Sequence, residues 1–387
     1  MNMNRIFDVI IVGAGPSGGM LSYFLSQKGL DVLVVEKKKL PRYKPCGGAL
    51  TRRVISVLPF DISSVIEDYA HTAILNVQNE TIFQRTNIHP IIGMVMRDRF
   101  DAFLIQKAED SGTAILDDAS FISLSEKNGY LIVQTSKGIQ KTRIIVGADG
   151  VNGLVSRVLG LPNQFDRMFA IEAEIVPGDH GIMDQYRQSA VFDFGIIPRG
   201  YGWVFPKKDH LSVGILTSSK SRRRLRHYMN NYIKCKDLGR AVSIRSIYGH
   251  SIPHNPSKTN TYANQKGLLV GDSTGMVDPL TGEGIYYAVR GANIAAGSIL
   301  QYFSNNRPIE AYDTDLKRDL LYDLNCAGKF AFILYKIPSI AYRVLKAHGN
   351  RIGTSHLDII TGRKTYGELF SDVFSFEGFR ALLSPGS

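Results

Sequence analysis

The apolar residues near the start of this chain form two continuous runs, and each run predicts a buried strand. Phe7–Val12 is followed at once by glycines, as expected for a parallel strand that enters a helix. That helix is predicted to continue to about Lys28, where Gly29 suits its C-terminal cap. Asp31–Glu36 is the second run, and it ends in an acidic residue. The pattern therefore predicts a βαβ unit at the start of the chain.

Later segments alternate between helix and strand patterns. Asp98–Ser111 has apolar residues at helical spacing, which predicts an amphipathic helix. Strands are predicted from there to Val146 and again, as a separate sheet, over Phe169–Leu216. The remaining predicted elements are a basic helix at Ser221–Lys234, a strand at Gly267–Val270 that returns to the first sheet, and helices beyond Glu283.

Composition and charge limit the classes of partner. The chain has 387 residues, of which 44% are apolar, and this is enough for two or three structural units. Its 46 Lys and Arg residues outnumber 35 Asp and Glu residues, which gives a net charge of +11. The balance favours an anionic partner, namely cofactor phosphates, a phospholipid surface or nucleic acid, although a solvated surface with a positive bias explains it equally well. Since no nucleic-acid-binding motif occurs, we expect no nucleic-acid partner.

The cysteines indicate a reducing compartment. Cys46, Cys235 and Cys326 are far apart, so they predict neither a disulfide framework nor a metal or iron–sulfur site. No apolar run approaches the roughly 20 residues needed to cross a bilayer. We therefore expect a cytoplasmic protein, with a peripheral membrane contact left open.

The first of three glycine-rich segments is GAGPSG. Gly13, Gly15 and Gly18 lack side chains, so backbone N–H groups can approach a pyrophosphate at the start of the helix. Glu36 lies 18 residues beyond Gly18, the spacing at which a carboxylate can bond the adenosine ribose, although an exposed strand-end acid would look the same. Alone, this segment predicts only that a dinucleotide binds.

The second segment, VGADG, ends at Gly150. It places Asp149 after an apolar strand, where the carboxylate either lies near a cofactor or only caps a short helix.

The third segment, LLVGDSTGMVDPLTGEGI, is the most specific. It places Asp272 where a carboxylate can bond the ribityl chain of a flavin. Pro279, Gly282 and Gly284 then bring N–H groups and a helix N-terminus to the pyrimidine edge of the ring, which is negatively charged when reduced. The three segments in this order predict a dinucleotide held from adenine to isoalloxazine, which narrows the cofactor to FAD.

With these segments in place, the chain resembles the p-hydroxybenzoate hydroxylase superfamily and, within it, the geranylgeranyl reductase family. PRYKPCGGAL, at Pro41–Leu50, matches that family's Pro-Arg-x-Lys-x-Cys-Gly-Gly pattern. YGWVFPK, at Tyr201–Lys207, is similar to its Tyr-x-Trp-x-Phe-Pro-Lys pattern, and RDRFD, at Arg97–Asp101, fits its Arg-x-x-Phe-Asp. The C-terminal helices show no motif.

The resemblance implies site residues. Cys46, Gly47 and Gly48 would form a catalytic loop beside the isoalloxazine, although residue type alone also allows a structural Cys46. The wall of the substrate cavity would consist of Tyr201, Trp203, Phe205 and Pro206, although such aromatic residues are as often core. The cofactor contacts expected are Gly13, Gly15, Pro16, Ser17, Gly18, Glu36, Lys37, Arg42, Cys46, Gly47, Gly48, Ala49, Arg97, Asp149, Gly150, Gly271, Asp272, Pro279, Gly282, Glu283, Gly284 and Ile285.

The implied fold class is α/β, or α+β overall. It combines a Rossmann-like FAD-binding domain with an inserted antiparallel-sheet substrate domain and a helical C-terminus. The predicted FAD-binding domain comprises residues 1–70, 90–165 and 265–305, the substrate domain residues 71–89 and 166–264, and the helical region residues 306–387.

The implied activity is reduction of carbon–carbon double bonds in a geranylgeranyl-type lipid or diphosphate. A hydride would come from reduced flavin and a proton from a nearby acid or water. Because the chain has no second dinucleotide loop, the electron donor, NAD(P)H or ferredoxin, is expected to dock only transiently. The alternative is an aromatic or polyketide-type monooxygenase that uses NAD(P)H and O2, since such enzymes share the three flavin segments.

Overall fold

The computed structural model describes residues 5–161, 163–178, 180–218, 223–238 and 241–374. Its described strands, in chain order, are β1 (Ile6–Val12), β2 (Val32–Val35), β3 (Ala49–Thr51), β4 (Ile66–Ala70), β5 (Thr72–Val77), β6 (Glu80–Thr86), β7 (Ile92–Val95), β8 (Ala114–Leu116), β9 (Phe121–Lys127), β10 (Tyr130–Thr135), β11 (Gly138–Gly147), β12 (Asp166–Pro177), β13 (Ser189–Phe194), β14 (Gly200–Pro206), β15 (Leu211–Ser218), β16 (Ala241–His254), β17 (Ala263–Asn264) and β18 (Gly267–Leu269). The described α-helices are α1 (Pro16–Ser26), α2 (Arg52–Ser56), α3 (Arg97–Asp110), α4 (Val155–Val158), α5 (His180–Tyr186), α6 (Leu225–Cys235), α7 (Ile285–Asn305), α8 (Ala311–Leu316), α9 (Tyr322–Lys336), α10 (Pro338–Ile360) and α11 (Tyr366–Phe374).

The first sheet is built on the parallel strands β18-β11-β1-β2-β8, with β17, β10 and β9 added in antiparallel pairing. The predicted βαβ unit is present, because β1 and β2 are parallel neighbours joined by α1. Val12 lies opposite both Val35 and Gly147, and Gly147 lies opposite Leu269. The carboxyl ends of these four strands therefore meet at one edge of the sheet, where ligands bind in open α/β sheets. All three glycine-rich segments start at this edge.

The second sheet has the strand order β16-β12-β15-β14-β13-β5-β6. Its neighbours are antiparallel, apart from the parallel pair β13 and β5. The strand β14, which carries YGWVFP, lies in the middle of the sheet and is buried along its whole length. A small third sheet, β3-β7-β4, contains the end of the PRYKPCGGAL segment in β3.

The C-terminal helices pack onto the second sheet. Side chains of α9 and α10 belong to the same apolar cluster as the aromatic residues of β14, and these are Ala331, Tyr335, Leu357 and Ile360. The helix α10 is kinked at His348, whose φ is −126° and ψ is 26°. The predicted α/β fold with a helical C-terminus is confirmed, and these helices prove to be part of the wall around the aromatic strand.

Two predicted helices differ slightly in their starts. The basic helix predicted from Ser221 corresponds to α6, which begins at Leu225 in the described residues, while residues 219–222 lie outside them. The helix α3 begins at Arg97, one residue before the predicted start. None of the described helices combines the length and the apolar composition that a membrane span needs.

Candidate active site

The predicted segments meet in one cleft between the first and second sheets. Its empty space, including the solvent-open mouth, is about 1430 Å3. The predicted site residues that line it are Gly15, Pro16, Ser17, Cys46, Gly47, Gly48, Ala49, Arg97, Gly150, Tyr201, Trp203, Phe205, Asp272, Gly282, Glu283, Gly284 and Ile285. The cleft therefore connects the glycine-rich segments to the aromatic strand.

The turn between β1 and α1 opens on the cleft at Gly15. A Cβ at Gly13, whose φ is +112°, would overlap the carbonyl oxygen of Ala148, and a Cβ at Gly18 would overlap that of Gly13. These two glycines are needed for close packing. A Cβ at Gly15 would meet only Nη2 of Arg42, at 3.9 Å. Because no described side chain caps the first N–H groups of α1, this open helix N-terminus fits a pyrophosphate.

Glu36 lies at the end of β2 and is only 4% exposed. Its carboxylate accepts hydrogen bonds from the backbone N–H groups of Ala14, at 2.9 Å, and Lys38, at 3.1 Å. Nε of Arg42 lies 3.3 Å from the same carboxylate. The acid is thus fixed beside the glycine turn, as a ribose-binding acid is in this fold. The neighbouring Lys37 is exposed.

Arg97 and Arg42 share one buried carboxylate, that of Asp101. Arg97 donates to it from Nε at 2.8 Å and from Nη2 at 2.9 Å, and Arg42 donates from Nη1 at 3.0 Å. Burial disfavours the charged forms of both partners, but the mutual attraction outweighs it, so the pKa of Asp101 is lowered and that of Arg97 is raised. Cys46 also helps to raise the pKa of Arg97, and both residues line the cleft. The cleft wall therefore carries a permanent cation beside the cysteine.

Asp149 caps its own turn. Its Oδ2 accepts the backbone N–H groups of Leu154, at 2.6 Å, and Val155, at 3.0 Å, where α4 begins. Burial raises the pKa of Asp149. Its Oδ1 is buried and has no hydrogen-bond partner among the described residues. Gly150, the next residue, lines the cleft, whereas Asp149 itself does not.

The third glycine-rich segment leads into the N-terminus of α7. This helix has 21 residues, and within the described structure neither a capping side chain nor an acid occupies its first turn. Such a helix end favours negative charge. Gly282, with a φ of +73°, and Gly284 line the cleft just before it. Asp272 lies at the same wall with Nζ of Lys44 3.8 Å away, and burial lowers the pKa of that lysine. Two uncapped helix N-termini in one cleft fit the phosphates and ring of a flavin dinucleotide.

A buried ion cluster anchors this loop, and sequence reasoning missed it because TRRV carries no motif. Arg53 donates to Oε2 of Glu283 from Nε, at 2.8 Å, and from Nη2, and the guanidinium lies 3.5 Å from Asp278. Thr51 donates to Glu283 at 2.5 Å, and the hydroxyl of Tyr366 in α11 donates to Asp278 at 2.7 Å. Burial disfavours the guanidinium, but Glu283 and the other surrounding acidic groups together outweigh it and raise the pKa of Arg53 well above its ordinary value.

Replacing Arg53 by Met is expected to lower the free energy of unfolding by about 3 kcal/mol, because it leaves the carboxylates of Glu283 and Asp278 buried without their cation. Denaturant unfolding of the two proteins measures the change. Arg52→Met is the matched control, since Arg52 is adjacent but exposed, and its effect should stay within about 0.5 kcal/mol. An equal loss in both variants would contradict the anchoring role.

The loop Cys46-Gly47-Gly48 is held by Lys207, which follows β14. Its buried Nζ donates to the carbonyl oxygens of Gly47, at 2.7 Å, and Val95, at 3.0 Å. Gly48 has a φ of +63°, and a Cβ there would overlap the carbonyl oxygen of Val95, so only glycine fits. Lys207, which follows a strand of the second sheet, thus positions the loop that connects β2 to β3.

The aromatic side chains of β14 form a continuous wall. Tyr201, Trp203 and Phe205 alternate along the strand and therefore point to one side. The ring centroids of Tyr201 and Trp203, and of Trp203 and Phe205, are 6.1 Å apart. A Cβ at Gly47 would lie 3.0 Å from both Trp203 and Phe205, so the loop lies directly against this wall. Pro206, one residue further along, does not line the cleft.

Glu172 of β12 lines the cleft, although no motif predicted it. Its Oε1 accepts the hydroxyl of Ser212 at 3.1 Å, and Nε1 of Trp203 donates to that hydroxyl at 3.4 Å. Oε2 of the carboxyl group is buried and has no hydrogen-bond partner in the described part of the chain. Burial raises the pKa of Glu172 to about 7, although Lys207 opposes the shift. This carboxyl group can hold and release a proton near neutral pH.

The C-terminal helix α10 completes the apolar part of the cleft wall. His356 and Ile360 line the cleft together with Phe192, Leu216 and Ile252. Burial lowers the pKa of His356 to about 4, so the ring is neutral at physiological pH. Sequence reasoning missed both residues, because they lie in a region without any motif.

Several predicted contacts lie outside the cleft wall, namely Gly13, Gly18, Glu36, Lys37, Arg42, Asp149, Pro206, Gly271 and Pro279. Some of them serve close packing: a Cβ at Gly271 would lie 2.5 Å from Oγ of Ser17. Pro279 is buried. The roles of these residues toward a cofactor remain predictions.

Comparison with known sequences supports the cofactor. The profile of the FAD binding domain family matches residues 7–314. An uncharacterized protein of Methanosarcina barkeri is 33% identical over 75% of this chain and 73% of its own length. The chloroplastic geranylgeranyl diphosphate reductase of Arabidopsis thaliana is 28% identical over 79% and 68%. The digeranylgeranylglycerophospholipid reductase of Methanococcus vannielii is 29% identical over 87% and 88%.

Solved structures share the fold. A geranylgeranyl bacteriochlorophyll reductase-like protein of Thermoplasma acidophilum has a TM-score of 0.76 at 21% identity, covering 98% of this chain and 99% of its own. The flavin-dependent brominase Bmp2 has the same TM-score at 15% identity, covering 97% and 100%. At these identities the likeness concerns the fold alone.

Proposed function

This chain belongs to the FAD binding domain family and, within it, to the geranylgeranyl reductase family of FAD-dependent oxidoreductases, and on that premise we propose that it reduces carbon–carbon double bonds of an isoprenoid lipid or diphosphate. The observation that carries the proposal is the contact between the Cys46-Gly47-Gly48 loop and the aromatic wall at Trp203 and Phe205. It joins the flavin-binding segments directly to an apolar surface, and such a surface suits a prenyl chain.

The substrate domain of the proposal consists of residues 71–89 and 166–264, together with the cleft-lining part of α10. The second sheet, with strands from both stretches, supports this division. Its aromatic wall and Ile360 would exclude water from the reacting double bond.

Bound FAD, once reduced, would supply a hydride. The chain must then supply a proton, and we assign this role to Glu172, whose carboxyl group lines the cleft and is partly protonated near neutral pH. One alkene carbon gains the hydride and the other gains the proton of Glu172, so the double bond becomes a single bond and no group leaves. The carboxylate then regains a proton from solvent.

Other residues hold the reacting groups in place. Lys207 fixes the carbonyl groups of the glycine loop, and Arg97 keeps a positive charge beside Cys46. The uncapped N-terminus of α7 favours a negative charge on the group bound against it. We further propose that NAD(P)H or ferredoxin delivers electrons by transient docking.

An anaerobic experiment tests the function. The bound flavin is reduced, and geranylgeranyl diphosphate or digeranylgeranylglycerophospholipid is added while flavin absorbance is followed. We expect reoxidation of the flavin together with a mass gain of two hydrogens for each double bond reduced. If every prenyl compound leaves the flavin reduced, the proposal is wrong.

The alternative is a monooxygenase that uses NAD(P)H and O2. The fold is shared with a flavin-dependent brominase, so the fold alone does not select alkene reduction. A product that gains oxygen in air, with no hydrogenated product under nitrogen, would favour the alternative.

A further inference from the structure

The corner where α9 meets α10 exposes a group of large apolar side chains. Phe332 is 57% exposed and Ile340 is 48% exposed, although isolated exposed residues of this size need no explanation. Here they lie close together along the chain, because Ile333, Ile337 and Val344 are also exposed and all five residues lie between positions 332 and 344, at the end of α9 and the start of α10. We call these five residues the apolar corner.

Helical spacing places cations beside the apolar corner. Lys336 lies one turn after Phe332 on α9, and Arg343 lies one turn after Ile340 on α10. Both are exposed, and neither forms an ion pair with an acid in the described residues. The surface therefore combines apolar side chains with unneutralised positive charge, as membrane-surface helices do.

The charge of the surrounding sequence is one-sided. Residues 324–357 contain five Lys or Arg residues and no Asp or Glu residue. A protein partner with both positive and negative surface groups would find no acid in this stretch to pair with its own cations. Lys346 is paired with Glu80 at 2.6 Å, whereas Lys336 and Arg343 remain available to an anionic lipid surface, which also accepts the apolar side chains at its acyl boundary.

The opposite side of the same two helices faces the cleft. Tyr335 of α9 and Leu357 of α10 pack into the cluster of the aromatic wall, and His356 and Ile360 line the cleft itself. Tyr335 adjoins the apolar corner in the sequence of α9, whereas His356, Leu357 and Ile360 lie at the far end of α10, beyond its kink at His348. It is therefore α9 that lies between the apolar corner and the cluster of the aromatic wall. A bilayer bound at the apolar corner would therefore lie next to the aromatic wall, which the substrate must reach.

We infer that the apolar corner, with Lys336 and Arg343, is the surface by which this protein docks onto an anionic lipid bilayer. The inference rests on the proposed function, because a lipid substrate is what such docking would deliver. It adds to the proposed function the surface that binds the membrane and the kind of membrane that is bound.

Vesicle flotation of the FAD-loaded 387-residue protein tests the inference without any prenyl substrate. Vesicles of phosphatidylcholine are compared with vesicles that contain about one third phosphatidylglycerol. We expect binding to the anionic vesicles only, weakened by salt. The double variant Lys336→Glu/Arg343→Glu should bind about 25-fold less tightly, at about fivefold for each cation. Phe332→Ser/Ile340→Ser should bind at least about tenfold less tightly.

The matched control is Ile122→Ser/Ile139→Ser, which removes two apolar side chains, each 53% exposed, from strands β9 and β11 of the first sheet. Its binding should equal that of the wild type. Equal binding by all variants, or a change in oligomeric state of Phe332→Ser/Ile340→Ser with no change in vesicle binding, would overturn the inference. Because binding is measured without turnover, failure of the proposed reaction leaves this result unaffected.

Discussion

Replacing Glu172 by Gln is expected to slow alkene-dependent reoxidation of the reduced flavin by about 10²-fold or more, because the amide cannot donate the proton that the double bond requires. The amide oxygen can still accept the hydroxyl of Ser212, which now lies 3.1 Å from the carboxyl group, so the strand should keep its packing. Stopped-flow absorbance of the anaerobic, pre-reduced enzyme measures the rate, and the oxidised flavin spectrum reports whether the cofactor still binds.

The pH dependence of the reoxidation rate provides a second test of the role of Glu172. Burial raises the pKa of Glu172 to about 7, so the protonated acid is present below that pH and is lost above it. The wild-type rate should therefore fall on the alkaline side of pH 7, and the Glu172→Gln variant should lose this dependence. Glu174→Gln is the matched control, since Glu174 is a second buried acid on β12 that does not line the cleft. If Glu172→Gln kept the wild-type rate and pH profile, Glu172 would have no part in the mechanism.

Replacing Gly15 by Val is expected to weaken FAD binding by about 10³-fold, the equivalent of losing two charge-assisted hydrogen bonds from the pyrophosphate. The new side chain would occupy the opening at the start of α1, where only Nη2 of Arg42 lies within 4 Å of a Cβ. Gly15 has a φ of −83° and a ψ of −174°, an extended conformation that valine adopts without strain. The apoprotein should thus fold normally and fail only to bind the cofactor.

Fluorescence titration of the apoprotein with FAD measures the affinity, and thermal unfolding without FAD measures the fold. Gly18→Ala provides the contrast, because its Cβ would overlap the carbonyl oxygen of Gly13 and should destabilise the apoprotein itself. If Gly15→Val bound FAD as tightly as the wild type does, the start of α1 would not be the pyrophosphate site.

The sequence was sufficient to predict the structural features that depend on local residue patterns. Apolar runs and glycines determine β1, α1 and β2, and the parallel register that follows brings Val12, Val35 and Gly147 to one edge. The order and spacing of the glycine-rich segments were therefore sufficient to predict that they meet around one cofactor. Patterns with fixed spacing also identified Cys46 and Trp203, which do line the cleft.

The sequence could not predict contacts between distant segments. Glu172 reads as one acid in a strand, and only the pairing of β12 with β15 brings it to Ser212. Arg53 likewise reads as a surface cation, since its acids lie 230 residues further along the chain at Glu283 and nearby. Such residues gain their roles from burial and from tertiary pairing, and neither leaves a periodic signal in the chain.

The hydrogen bond of the Tyr366 hydroxyl determines where this protein can be divided into fragments. It reaches back 88 residues to Asp278, and the hydroxyl of Tyr335 donates to the carbonyl oxygen of Leu280 at 2.6 Å. A fragment that stopped at residue 314, where the similarity to the FAD binding domain family ends, would contain every recognisable motif and neither of these tyrosines. The region with family similarity and the region held together by these contacts thus end at different residues. A flavin-binding part taken from this protein must therefore include the C-terminal helices, although they contain no motif.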